Sequence, residues 1–467
     1  MPSDVVSLLR LRTEELRRRV ESTPPEVKAW DERTRNIIDM NLHYSQMQAI
    51  AVLVSAFHDQ QVALLAAMNP AIPGAAFEDA CHEVVRAIVA GQRAWNFFRS
   101  KLDLRLLPQF AAVLKTADVV AYDCYTPVMD RAKADGIVSA AEVREPPLTY
   151  LSTEFSPLTW VRGKRPNDGR DYHLGAATLP IPVIELPMDH LTNSWELLSL
   201  HHEVGHDLEA DLKLRPALTA SLAKALEAAE TPAARRTYWT KWLGEIVADL
   251  VALQLAGPAY ADMLLNFLIM PAPQVTTLST SDPHPTHYIR VRLLAAFIRT
   301  MMAEAAAGMA QELDAHATAV DEAWVALYGE PADLLPFRVD FPVVIRAVMD
   351  TPFPELAGKT LRAIIPYTVG DHASIKGGVD YLLTGQNRPA KISPRHVISA
   401  ARIAVADEGS SAAQLELIDQ RTNELVAFRA PKSLLGGVYP KARADAVRRY
   451  VAAFDVDKTL VPDLPDE

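Results

Sequence analysis

The stretch HHEVGHDLEADL, His201–Leu212, reads as one amphipathic helix carrying two imidazoles a turn apart, a carboxylate beside the first and a glycine between them. Glycine in a helix interior costs about 1 kcal/mol relative to alanine, so Gly205 asks for a reason outside helix stability. His202 and His206 lie four residues apart and share one face. Two neutral imidazoles on one turn make a clamp for zinc, whose bonds to nitrogen are about 2.0–2.1 Å long. Glu203 can reach the open side of such an ion, take a proton from water there and return it to a leaving amine. Gly205 then leaves room for a neighbouring backbone. His201 fits neither role and is expected at the solvent or behind the ligands. Upstream, Asn193 and Glu196 have capping-box spacing, and Leu197, Leu200, Val204 and Leu208 form the buried stripe.

A zinc site of this kind needs a third protein ligand. The extended pattern with a third histidine fails, because position 209 is Glu and position 212 is Leu. Downstream, RTYWTKWLGEIVADLVALQLAGPAY (Arg236–Tyr260) again places two polar groups four apart, Glu245 and Asp249, against a stripe of Ile246, Val247, Leu250 and Val251. Glu245 can complete a His₂Glu set. Asp249 can take the free N–H of a ligand histidine and hold its ring. The bland alternative is a solvated acidic face, but the surrounding residues are strongly apolar and unpaired buried carboxylates are costly.

H-E-x-x-H followed on a later helix by E-x-x-x-D resembles the gluzincin metallopeptidases, the thermolysin-like group. The resemblance covers about residues 145–300. It implies His202, His206 and Glu245 as zinc ligands, Glu203 as general base, Asp249 as the partner of a ligand histidine, and one zinc ion per chain. It also implies an active-site edge strand that pairs with an extended substrate, for which TLPIPVIELP (Thr178–Pro187) is the candidate. Two departures stand out. The step from His206 to Glu245 is long, which implies an inserted helix around LTASLAKALEAAE. The residue before Glu245 is Gly244, where the group often has Asn.

A further cluster, SDPHPTHYIRVRLL (Ser281–Leu294), has the order in which such enzymes supply an oxyanion donor. Asp282 can cap a helix starting near Pro283, from which His284, His287, Tyr288 and Arg290 project. On that helix His284 and Tyr288 share one face, His287 and Arg290 another. Losing such a donor typically costs about 10²–10³ in rate. A densely polar helix start with no catalytic part is the competing reading.

Outward from these motifs, the chain has 467 residues, 49% hydrophobic and 22% charged, with a net charge of −11. That size suggests more than one structural unit, and the acidic balance argues against nucleic acid as a main partner. The two cysteines, Cys81 and Cys124, make no disulfide framework. With no signal-like start and no charge-free run of eighteen apolar residues, a cytoplasmic protein with no membrane partner is expected. Residues 1–140 read as successive helices. EPPLTYLSTEFSPLTWVRG (Glu145–Gly163) reads as extended strands, and KRPNDGRDYHLG (Lys164–Gly175) as a polar turn. Prolines near both ends of Thr178–Pro187 suit an edge strand.

The expected architecture is mainly α with a small β-sheet (α+β), a zincin-like catalytic domain at 141–310 flanked by helical regions at 1–140 and 311–467. The expected function is zinc-dependent hydrolysis of a peptide or protein substrate. Two alternatives remain at this stage: a non-catalytic helical binding or regulatory protein with a structural zinc, and a zinc hydrolase acting on a non-peptide substrate. Glu203 and the scarcity of cysteine speak against the first.

Overall fold

A computed structural model describes residues 4–430, apart from 35–36, 38–39, 41–42, 72, 140–143, 165–177, 280–281, 302–306 and 407–410. The polar turn expected over Lys164–Gly175 lies almost wholly outside the described residues, as does the chain beyond 430. Four long helices come first: α1 (Val5–Thr34), α2 (Tyr44–Ala67), α3 (Ala75–Asp103) and α4 (Pro108–Ala134). Strands β1 (Leu148–Ser152), β2 (Leu158–Trp160) and β3 (Val183–Pro187) follow. Then come α5 (Ser199–Asp211), α6 (Arg215–Ala228), α7 (Ala233–Ala256), α8 (Ala259–Phe267), α9 (Ala272–Thr276) and α10 (His287–Ile298). The last group is α11 (Ala307–Tyr328), α12 (Phe341–Ile345), α13 (Leu361–Ile364), α14 (Val369–Thr384), α15 (Pro394–Val405) and α16 (Ala412–Arg429). The chain is mainly α with one small mixed sheet, and α6 is the helix expected in the long step between His206 and Glu245.

The sheet order is β1-β3-β2, with β1 parallel and β2 antiparallel to β3. The edge position expected for Thr178–Pro187 is therefore corrected: β3 is the central strand, buried along its whole length. Its prolines misled because they stand just outside the ladder or at its last residue. Pro182 precedes the strand and Pro187 closes it opposite Ser152, so Val183–Leu186 keep their N–H groups. The edge strand nearest the histidine helix is β2, short and only half-buried at Leu158 and Thr159.

α7 is buried nearly all round from Trp242 to Ala256, as a helix running through a core must be. One apolar cluster extends from Val113 in α4 to Val426 in α16, crossing both expected boundaries at 140 and 310. A second joins α1–α3 to the sheet through Trp30, Phe98, Tyr150 and Trp160. α2 is long and apolar enough to cross a membrane by length and composition; it packs on α1 and α3 through residues such as Ile50, Leu53 and Phe57.

Candidate metal centre

α5 and α7 pack more intimately than any other pair that bears on the site, and glycine makes that possible. A Cβ on Gly205 would stand 2.9 Å from the Ala248 Cα and 3.0 Å from its carbonyl oxygen. Backbone therefore meets backbone at residue 205. This close approach brings the histidine face of α5 against the Glu245–Asp249 turn of α7. Gly244, which replaces the expected Asn, has a local reason too. The Arg215 guanidinium lies where a Cβ would be, 2.6 Å from that position, and is bound to Glu209 at 2.6 Å.

The rings of His202 and His206 stand at 90° with centroids 4.8 Å apart, so their Nε2 atoms converge. Those atoms are 3.2 Å apart, and Glu245 places one oxygen 3.3 Å from His202 Nε2 and the other 3.5 Å from His206 Nε2. Zinc bonded at about 2.0–2.1 Å in a tetrahedron sets its ligands roughly 3.3–3.4 Å apart. These separations, each ring measured to its own Glu245 oxygen, are close to that spacing. Glu245 Oε2 is also buried with no hydrogen-bond donor directed at it, the condition of a ligand rather than of a structural ion pair. Among the described residues this triad is the group of His, Cys, Asp and Glu side chains arranged to hold a metal.

Asp249 settles the tautomer of His202. The ring's Nδ1–H donates to Asp249 Oδ1 at 2.9 Å, leaving the Nε2 lone pair toward the cleft. Asp249 also accepts the Tyr260 hydroxyl at 2.6 Å and two Arg290 bonds at 2.5 and 2.8 Å. Burial opposes a negative Asp249, but the Arg290 guanidinium beside it holds its carboxyl well below the usual range. Burial likewise opposes a proton on His202, yet the carboxylates of Asp249 and Glu245 on either side of the ring lift it to about 10. A cation at Nε2 is what this pocket favours. Glu245, despite its burial, is held low by the two histidines. Burial and the neighbouring His202 push His206 down to about 3, so this ring stays neutral, as a ligand must.

Glu203 is 7% exposed and lines the same cleft, where burial raises its carboxyl to about 7. The cleft is a cavity of about 590 Å³ between β2 and α5, continuous at the ligands with a tighter one of about 90 Å³. β2 is locked over α5 by Thr159, whose hydroxyl donates to Asp207 at 3.2 Å, and by Arg162, which binds Asp211 at 3.2 Å.

The Ser281–Leu294 group divides differently from expectation. α10 begins at His287, and Asp282 caps no helix; it accepts the His284 backbone N–H at 2.9 Å and faces His284 Nδ1 at 2.8 Å. His284 thus sits in the turn before the helix, its Nε2 3.5 Å from Glu245 Oε2 and open to the cleft. Arg290 reaches the narrow cavity, but its charge is committed to Asp249. Tyr288 points away, donating to the Gly329 carbonyl at 2.8 Å and accepting from Arg292 at 2.9 Å. His287 lines neither cavity and is held neutral by burial and by Arg290. The pairing of His284 with Tyr288 on a common helix face is corrected accordingly, since His284 lies outside α10.

Two other expectations change. His201 is completely buried, with Nδ1 3.1 Å from the Leu198 carbonyl, and touches neither solvent nor the ligands. Asn193 makes no cap; its side chain donates to the Asp189 carbonyl at 3.2 Å, and a 3₁₀ turn over Ser194–Leu198 leads into α5. The sequence reading missed Tyr260. It reaches Asp249 because positive φ at Gly257 (74°) ends α7 and folds α8 back beside it. The Gly257-Pro258 break, between Asp249 and Tyr260, was the available signal. No protein-family model, curated protein or solved structure matches the chain.

Proposed function

We propose that the chain is a zinc-dependent peptidase of gluzincin type, with one zinc ion held by His202, His206 and Glu245. The observation that carries this reading is the convergence of His202, His206 and Glu245, whose ligand atoms all lie within 4.8 Å of one another, with Glu203 lining the same cleft. A closed structural site would add a fourth side chain. Zinc held there supplies Lewis-acid polarisation of a carbonyl and a more acidic water.

The protein's own groups account for the rest. Glu203, raised to about 7, is matched to taking a proton from water and handing it to the departing amine near neutral pH. Asp249, anchored by Arg290 and Tyr260, keeps His202 in the tautomer and orientation the reaction needs. His284, oriented by Asp282 at Nδ1 and with Nε2 turned to the cleft, is the group placed to bond the oxygen that becomes negative. A peptide is favoured over a small ester because an edge strand, β2, borders the cleft and offers main-chain pairing.

The test is metal content and peptide hydrolysis in wild type and Glu203→Gln. Zinc should stay near one per chain while the rate falls by about 10²–10⁴. Retained turnover removes Glu203 from the mechanism, and a wild type that takes up no metal removes the site.

A further inference from the structure

The cleft is chemically lopsided about its three ligands. Past the start of β2, at Ser156, it narrows between Met263, Leu264 and Phe267. The cations at that end are engaged: Arg290 binds Asp249, and Arg402 lies 3.8 Å from Glu196. Past the end of β2 the cleft widens, and Lys164 and Lys213 stand on its rim, both exposed. Arg215 continues the rim with its guanidinium braced by Glu209. Lys213 holds φ of 57°, an uncommon backbone state for a residue with a side chain, in the turn that joins α5 to α6. On a chain of net charge −11, Lys164 and Lys213 are two exposed cations on one rim with no ion-pair partner among the described residues.

Strand direction turns this asymmetry into a direction for the substrate. β2 runs from the narrow end, at Ser156, to the wide end, at Val161 and Lys164. An extended peptide that joins the outer edge of β2 in the antiparallel sense, the slightly stronger pairing, runs the opposite way. Its N-terminal half then lies along the lysines and its C-terminal half enters the apolar end. We propose that the cleft selects peptides with Asp or Glu in the few residues before the bond to be cut, read by Lys164 and Lys213 with Arg215 beside them. This rests on the reading of the site as a peptide-cleaving centre.

The experiment uses full-length, zinc-loaded Glu203→Gln protein and fluorescein-labelled decapeptides read by anisotropy at low salt. One peptide carries three Glu before a central Ala-Leu, a second carries three Lys there, and a third carries the three Glu after it. The Glu-first peptide should bind at least ten-fold more tightly than either of the others, with the advantage shrinking in 0.5 M salt. Adding Lys164→Glu and Lys213→Glu together should invert the preference between Glu-first and Lys-first while circular dichroism and zinc content stay unchanged. Equal affinities, or a preference that survives the double reversal, overturn the proposal. Wild type separates this failure from that of the peptidase reading. If it binds the Glu-first peptide selectively but leaves it whole, the hydrolytic reading falls and the charge selection stands. If it cleaves Glu-first and Lys-first peptides equally well, the selection falls and the hydrolytic reading stands.

Discussion

Two buried charge networks in this protein are built from nearly the same parts. In one, Arg105 grips Asp118 with bonds of 2.8 and 2.7 Å, Thr149 donates to the same carboxylate at 2.7 Å, and His43 Nε2 lies 3.0 Å from it. In the other, Arg290 grips Asp249, Tyr260 supplies the hydroxyl and His202 the ring. The difference is at the far side of the imidazole. His43 turns its Nδ1 to Gln46 Oε1 at 2.6 Å, and Gln46 in turn donates to the Pro146 carbonyl at 2.8 Å, so that network closes on itself. His202 turns its Nε2 to another imidazole nitrogen and to a carboxylate oxygen with no donor. An arginine–aspartate–histidine cluster is structural when the ring's second nitrogen is satisfied within the fold. When that nitrogen is left facing other lone pairs at about 3.3 Å, the cluster is a support for something bound.

Substitutions can break this contrast. The largest effect on stability is expected from Asp118→Ala, which leaves Arg105 buried and unpaired and should cost about 3–5 kcal/mol in denaturant unfolding. The folded fraction should bind zinc as tightly as wild type; a large loss of zinc affinity would mean that the two networks are not separable in role. Next, Asp249→Asn should weaken zinc binding by about 10- to 100-fold in competition with a chelator, because the ring of His202 loses its anchor. Unchanged affinity would make Asp249 a structural group like Asp118.

The smallest effect near pH 6 concerns two rings that belong to neither network. His201 is held neutral by burial and by the positive Arg395, down to about 3, and His396 is likewise pushed well below its usual range. Below about pH 6.5 the unfolded chain takes up a proton on each and the folded chain does not. Stability should therefore be full above that pH and fall as pH drops toward 3, by roughly 1.4 kcal/mol per pH unit for each ring. His396→Gln, which keeps a donor for the Leu255 carbonyl, should make the slope of unfolding free energy against pH shallower. An unchanged slope would show that His396 does not resist protonation in the fold.

The sequence was most informative where the chemistry obeys helix periodicity. His202 and His206 are one turn apart on α5, Glu245 and Asp249 one turn apart on α7, and Gly205 marks the crossing of the two helices. It was least informative where contacts come from distant segments or where one residue type serves two ends. Proline marked the limits of β3 but said nothing of its place in the sheet, which β1 and β2 decide by pairing on either side. Asp282 carried the signature of a helix cap and spends it on the turn that holds His284. Arg290 had the charge of an oxyanion donor, and only the fold shows that Asp249 claims it. The expected division at 140 and 310 followed changes in residue pattern, yet Val113, Leu208 and Val426 share one core.

The most direct test of the central claim is a crystal of the zinc-treated protein measured on both sides of the zinc absorption edge. A single anomalous peak is expected within about 2.0–2.2 Å of His202 Nε2, His206 Nε2 and a Glu245 carboxylate oxygen. Absence of a peak among those three side chains, or a peak held by other residues, would contradict the claim.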